Sequence, residues 1–361
     1  MQQLGMGSGG YADAHRYDGA AIHHDRVAAI VPCALQPRDV AIARDVSRYK
    51  FLSAPQILEL WWPDNSVRAG QRRLSKLFEA GYLERFRPIA HRGSFPWVYH
   101  LGAEGHRLLQ RHGVIQPGQR YVARGVYDYS RVLHELQLNS WVLAYRRVAG
   151  TALLDWEGEI DIDPPTAAKR GQLRLDGDWS AKGLHAPQAR LIRPDAVLDV
   201  ADGDEVVRTF LIEYDRTRRV DKNFTKFRRY DGFLNWWWHD SEYAEGDGPP
   251  FVVFVCQDEG QREQFMSVAD RELTGHRWHP SVRPDEYEYV GRRHVLFAIE
   301  QDAHSGSRDA WRLPAYPPDH RARTTSVRRV ELPAAGGTPR RAEATSPPPE
   351  RHAACAVRDE D

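Results

Sequence analysis

The stretch FLIEYDRT, Phe210 to Thr217, decides how the second half of this chain is read. Three apolar residues lead into Glu213, Tyr214, Asp215 and Arg216, so a buried strand is predicted to end in a cluster of charges. Charges taken out of water must be paired, hydrogen-bonded or bound to a cation. The cluster therefore reads as the metal site of a nuclease, as a structural ion-pair cluster, or as the remnant of a site that has lost its chemistry.

Working outward, RPDAVLDV (Arg193–Val200) reads as the preceding strand, and Asp202-Gly203-Asp204 as the hairpin turn that joins the two. A hairpin would bring Asp195 and Glu213, 18 residues apart, to one sheet edge. Two hard oxygen ligands suit Mg²⁺, which keeps several waters and takes one or two carboxylates. Such an ion would activate water and stabilise charge on a phosphate. Glu135, on the amphipathic helix SRVLHELQLNSWVLAYRR (Ser130–Arg147), is a candidate third acid. The ion-pair reading uses the same residues differently: Asp215 and Arg216 pair with Arg228, Arg229 or each other, and Tyr230 donates to Glu213.

Further strands are predicted at TALLDW (Thr151–Trp156), PFVVFVC (Pro250–Cys256) and HVLFAI (His294–Ile299). PFVVFVC is almost wholly apolar, the pattern of a strand buried on both faces. Helices are predicted for KNFTKFRRYDGFLNWWW (Lys222–Trp238) and EGQREQFMSVADREL (Glu259–Leu273). This order gives an α/β fold with a mixed sheet. Residues 157–190 read as a polar insertion. Trp236, Trp237 and Trp238 face different ways on a helix; they read as packing, or as a stacking platform for bases.

The first half reads differently. Between Pro37 and Gly125 stand 15 Lys and Arg against 7 Asp and Glu, whereas the whole chain is neutral. A basic module is thus joined to an acidic remainder, the footprint of a nucleic-acid-binding domain. Its elements are predicted as three helices, a hairpin and a fourth helix. Ser53 and Ser66 are the expected N-caps of the second and third helices, and Gly81 the glycine ending the third. In VRAGQRRLSKLFEA (Val67–Ala80), Arg68, Gln71, Arg72 and Ser75 form one polar stripe opposite Leu74, Leu77 and Phe78. Arg and Gln on such a helix can read guanine and adenine in the major groove of duplex DNA. Arg73 and Lys76 flank the stripe and suit phosphates, as does Arg92 in the hairpin loop beside His91. A merely solvated helix face is the bland reading of the same stripe.

This element order resembles a winged helix-turn-helix. RPDAVLDV…FLIEYDR…KFRRYDGF in turn resembles the PD-(D/E)XK restriction-endonuclease-like pattern, with Asp195 as first acid and Glu213 as second. The resemblance implies a lysine where Asp215 stands; Lys226 or Lys222 on the next helix would have to replace it. Together with His134-Glu135-Leu136, these motifs resemble the actinobacterial replication-relaxation family over about residues 40–300. That family is associated with plasmid replication and the relaxed state of plasmid DNA, and there an Asp after Glu-x is the usual pattern.

The expected architecture is therefore an α+β winged helix-turn-helix (37–125) followed by an α/β restriction-endonuclease-like domain (126–302), between disordered tails at 1–36 and 303–361. The expected function is DNA binding in plasmid or mobile-element replication and relaxation, with duplex DNA and replication proteins as partners. The alternatives are a Mg²⁺-dependent endonuclease or nickase, and a non-enzymatic regulator. Three scattered cysteines support neither a disulfide framework nor a zinc site, and no apolar run is long enough for a membrane span. With no signal-peptide pattern at the start, a cytoplasmic setting is expected.

Overall fold

The computed structural model describes residues 22–25, 30–63, 66–88, 95–121, 129–158, 192–202, 206–215, 220–246, 248–276, 287–315 and 327–334. The N-terminal module is α+β. Its helices are α1 (Pro37–Arg48), α2 (Ala54–Trp61), α3 (Val67–Glu79) and α4 (Ala103–Arg111). Its four-stranded sheet runs β1 (Ile22–Asp25), β3 (Leu83–Pro88), β4 (Val98–Leu101), β2 (Leu52–Ser53). Ser53 and Gln56 form a reciprocal capping box that starts α2. Ser66 stands at the N-cap position of α3 but makes no side-chain cap bond. Gly81 closes α3 with φ +72°, and the Tyr82 N–H returns to Leu77 O, so the left-handed residue a helix end favours is a glycine. At Gly70 any side chain would meet Leu58 and the Trp62 ring at under 3 Å, so this residue lets α2 seat directly on α3.

The long helix α5 (Tyr129–Ala149) leads into a seven-stranded mixed sheet of order β11-β10-β9-β8-β7-β6-β5. These strands are β5 (Leu153–Gly158), β6 (Ala196–Asp202), β7 (Val206–Tyr214), β8 (Phe251–Cys256), β9 (Val295–Ile299), β10 (Asp309–Arg312) and β11 (Arg328–Glu331). β5, β6 and β7 are antiparallel, β7, β8 and β9 parallel, and the last two antiparallel. Helices α6 (Val220–Gly232), α7 (Glu259–Glu272), α8 (Val290–His294) and α9 (Glu300–His304) complete the module. β8 is buried along nearly its whole length because α6 and α7 cover one face and α5 lies on the other. No helix among the described residues is long and apolar enough to cross a membrane.

Two expectations about boundaries change. Ile22–Asp25, assigned to a disordered tail, pairs antiparallel with β3. Beyond residue 302, β10 and β11 extend the large sheet, burying Ala310, Leu313 and Leu332. Both additions depend on pairing to strands distant in sequence, which local composition does not reveal. The two modules also share one core: Tyr49, Leu52 and Ile57 cluster with Trp141, Tyr145, Trp156 and Phe210. Tyr49 packs on Trp156 at 4.1 Å between ring centres, and Arg48 pairs with Asp155. At the joint, Lys50 adopts φ +57°, a costly conformation for a residue with a Cβ. Asn139 of α5 holds that turn by donating to Tyr49 O (3.0 Å) and Phe51 O (2.6 Å).

Candidate functional site

Two surfaces carry the chemistry read from the sequence. On α3, Gly70, Leu74, Leu77 and Phe78 are buried, while Arg68, Gln71, Arg72 and Lys76 are exposed and Ser75 is half-buried. The amphipathic pattern thus leaves one cationic face in water. Arg73 does not belong to it. Its guanidinium grips both oxygens of Asp39, which is buried in α1, and also donates to Ala34 O at 2.8 Å. The expected phosphate contact is an internal tie between α3 and α1. Arg92 and His91 lie outside the described residues.

The second surface sits at the C-terminal end of β7. The Asp195 N–H donates to Ile212 O at 2.8 Å, and Ala196 is level with Ile212, so Asp195 stands opposite Glu213 on the neighbouring strand. The two acids are side by side. Glu213 is buried, and two residues one helical turn apart on α6 converge on it. Tyr230 donates its hydroxyl to Oε1 at 2.7 Å, and Lys226 places its ammonium on Oε2. Asp195 Oδ2 accepts the Tyr214 N–H at 2.8 Å and lies 3.6 Å from His134 Nε2. Since Tyr214 O is an acceptor only, the 2.9 Å contact to His134 Nε2 fixes that nitrogen as a donor.

Burial pushes the Glu213 carboxyl up to about 7, against the opposing charge of Lys226. Lys226 itself loses by burial but is held protonated by Glu213 and Asp195, and its pKa rises. The direct ammonium contact decides the state: above about pH 7 the two form an ion pair. Burial also works against an ionised Asp195, but His134 beside it, the charge of Lys226 and the Tyr214 N–H outweigh it and lower its pKa. Burial disfavours the imidazolium of His134 in turn, and Asp195 and the Tyr214 carbonyl reverse that, raising its pKa.

Glu135 does not join the group. It is buried and pairs with Lys50 at 3.5 Å, across the module joint. Neighbours on a helix point about 100° apart, so His134 is the residue that α5 turns toward Asp195. The signal for His134 lies in His134-Glu135-Leu136, where the sequence alone does not say which of the two polar neighbours faces the sheet edge. Asp215 follows the last residue of β7 and its carbonyl accepts from Gln261 at 3.2 Å; its carboxylate adds to the field that keeps Lys226 charged. Arg228 pairs with Glu272 rather than with Asp215. The side chain of Lys222, and Arg216, lie outside the described residues. Trp237 is buried and Trp236 and Trp238 pack against the same core, so the tryptophan run is packing.

Asp195 and Glu213 fit a protein-held Mg²⁺ poorly as they stand. Three of their four oxygens already accept from Tyr214, Tyr230 and Lys226. Among the described residues, no group of three or more His, Cys, Asp or Glu is placed to hold a metal ion. The arrangement is a network in which Lys226, Tyr230 and His134 hold two carboxylates, partly open to solvent at Lys226 and His134.

Comparison with known proteins bears on both surfaces. No curated protein and no solved structure matches the chain. The family model described as Replication-relaxation matches residues 44–246, just over half of the 361. That span holds α2, α3, the hairpin, α5, and all of Asp195, Glu213, Lys226 and Tyr230. The chain belongs to the replication-relaxation family.

Proposed function

We propose that this protein docks on duplex DNA through a winged-helix module, in plasmid or mobile-element replication. The carrying observation is the exposed stripe Arg68, Gln71, Arg72 and Lys76 on a helix whose opposite face is buried. In this reading α3 enters the major groove. Arg68, Gln71 and Arg72 face base edges, Ser75 supports them, and Lys76 meets phosphate. The excess of basic residues over 37–125 supplies the long-range attraction.

The second module is nuclease-like in its arrangement: two acids face each other across a hairpin, and Lys226 reaches them from α6 in place of the lysine that Asp215 displaces. We read it as non-cleaving, a scaffold whose closed ion-pair network fixes α6 against the sheet. The occupied carboxylate oxygens support that over a nickase.

Two measurements test the proposal. Affinity for a duplex is expected to fall steeply as salt rises, because bound phosphates release counterions; absent or salt-independent binding would sink the docking role. Supercoiled plasmid incubated with protein and Mg²⁺ or Mn²⁺ is expected to stay supercoiled. Nicking that disappears in Asp195→Ala and Glu213→Ala would instead establish a Mg²⁺-dependent nuclease.

A further inference from the structure

The sheet of the N-terminal module carries a second cationic surface, at Arg85 and Arg87. Residues alternate across a strand, so Leu83, Arg85 and Arg87 share one face of β3. Arg85 is level with Tyr99 on β4 and Phe86 with Val98, which Trp97 precedes in the chain. Leu83 and Tyr99 share a core cluster with Leu74 and Leu77, so this is the face that α3 packs on. Arg85 lies 4.1 Å over the Phe78 ring of α3 and 4.4 Å over Trp97; Arg87 lies 4.6 Å over Trp97 from its own position. The two guanidinium groups and the indole gather at the junction of α3 and the hairpin, where Phe78 stands one helical turn beyond Ser75 of the stripe. A guanidinium lying flat on a ring directs its N–H edges sideways, where a carboxylate or phosphate oxygen can receive them.

At Arg85 a carboxylate already does so. Asp25 of β1 offers Oδ2 to both Nε (2.8 Å) and Nη2 (2.5 Å), the fork geometry in which Arg also takes a phosphate oxygen. The strand covers the group, leaving the Arg85 side chain 18% exposed. Yet β1 is four residues long, pairs with β3 alone and forms the edge of its sheet. Short edge strands open at low cost in free energy.

We infer that Arg85 is a DNA-phosphate contact masked by Asp25, and that Ile22–Asp25 is a strap which DNA displaces from the edge of β3. The inference rests on the docking role proposed above. Duplex backbone brought in by α3 would present phosphate oxygens beside the Arg85–Trp97–Arg87 stack, and one of them would take the place of Asp25. Displacing the strap costs free energy only to DNA that reaches this face, so the strap lowers affinity for duplexes that engage helix and hairpin together.

Duplex binding by wild type, Asp25→Asn, Arg85→Ala and the double variant, measured by fluorescence anisotropy across a salt series, tests this. Asp25→Asn is expected to bind several-fold tighter than wild type. Arg85→Ala should bind more weakly, with the slope of log affinity against log salt reduced by about 0.9, one phosphate contact. The double variant should match Arg85→Ala. An Asp25→Asn affinity equal to wild type overturns the inference. So does a gain that persists in the Arg85→Ala background, since that would be general charge repulsion. Failure of wild type itself to bind overturns the docking role. As a second readout on unmutated protein, amide exchange across the β1–β3 pairing is expected to accelerate when duplex is added; unchanged or stronger protection would contradict a displaceable strap.

Discussion

Arg72 and Arg73 are adjacent in the chain and belong to different worlds. Arg72 points into water beside Arg68 and Gln71, while Arg73 closes on a buried aspartate. The same contrast holds between the α3 stripe and the Glu213 cluster. On α3, charge is available because the helix is amphipathic, and solvent screens it. At the end of β7, charge is removed from water and each group is committed to a named partner. The lesson is that the number of charges in a segment does not distinguish a binding surface from an internal tie; burial of the partner does.

The largest effect that would break the comparison is on stability. Arg73→Ala leaves Asp39 buried without its cation, and removing one member of a buried pair typically costs about 3–5 kcal/mol. We expect a loss near the lower end of that range, because the pair lies at the rim of the module, measured as a shift in urea midpoint. A stability unchanged by Arg73→Ala would mean that Asp39 is solvated and Arg73 available to DNA.

Lys226→Met comes next. Glu213 would keep Tyr230 but lose its ammonium, and with Lys226 half-exposed the expected cost is about 2–3 kcal/mol, somewhat below that of a fully buried pair. Glu213→Gln should cost less, because Lys226 can turn to water. The Lys226→Met deficit should shrink as pH falls below about 7, where the buried carboxyl takes up a proton and no longer needs a cation. Equal costs for the two substitutions would contradict an ion-pair network anchored on the buried acid.

Arg72→Ala is the mirror experiment. Among the described residues nothing buried depends on Arg72, so stability should move by less than about 0.5 kcal/mol, as surface substitutions do. Duplex affinity should fall by about 1–3 kcal/mol if the guanidinium reads a base edge. Arg72→Ala and Arg73→Ala measured together on both assays give opposite signatures, and swapped signatures would reverse the reading of α3.

These contrasts also mark what the sequence could reveal. The helices, the stripe, Gly81 as a helix end and the mixed sheet follow from period, turn residues and local spacing. The tie from Arg73 to Asp39 spans 34 residues, and the turning of His134 rather than Glu135 toward Asp195 depends on how α5 sits on the sheet. Neither is encoded in a local pattern, because both are set by the rotation of one element against another. The strap at Ile22–Asp25 was hidden for the same reason: its partner strand begins at Leu83.

The smallest expected effect compares two buried acids on α6's surroundings. Glu213 has a cation on it; Asp231, also buried, is held by the Gly275 N–H at 2.6 Å and by Asn235 at 3.0 Å. Burial raises Asp231 from 3.8 to about 7, opposed by the Gly275 and Thr274 amides, by Asn235 and by the charge of Arg292. A folded-state value above the unfolded one means a stability contribution fully present below the unfolded pKa and lost as pH rises through the folded one. Stability should therefore decline between about pH 4 and about pH 7, with Glu213 adding in the same direction. Asp231→Asn fixes the neutral form and leaves an acceptor for the Gly275 amide, so its urea midpoint should decline less over that window. A variant whose pH profile parallels wild type would show that Asp231 is ionised throughout, its backbone donors and Arg292 outweighing its burial.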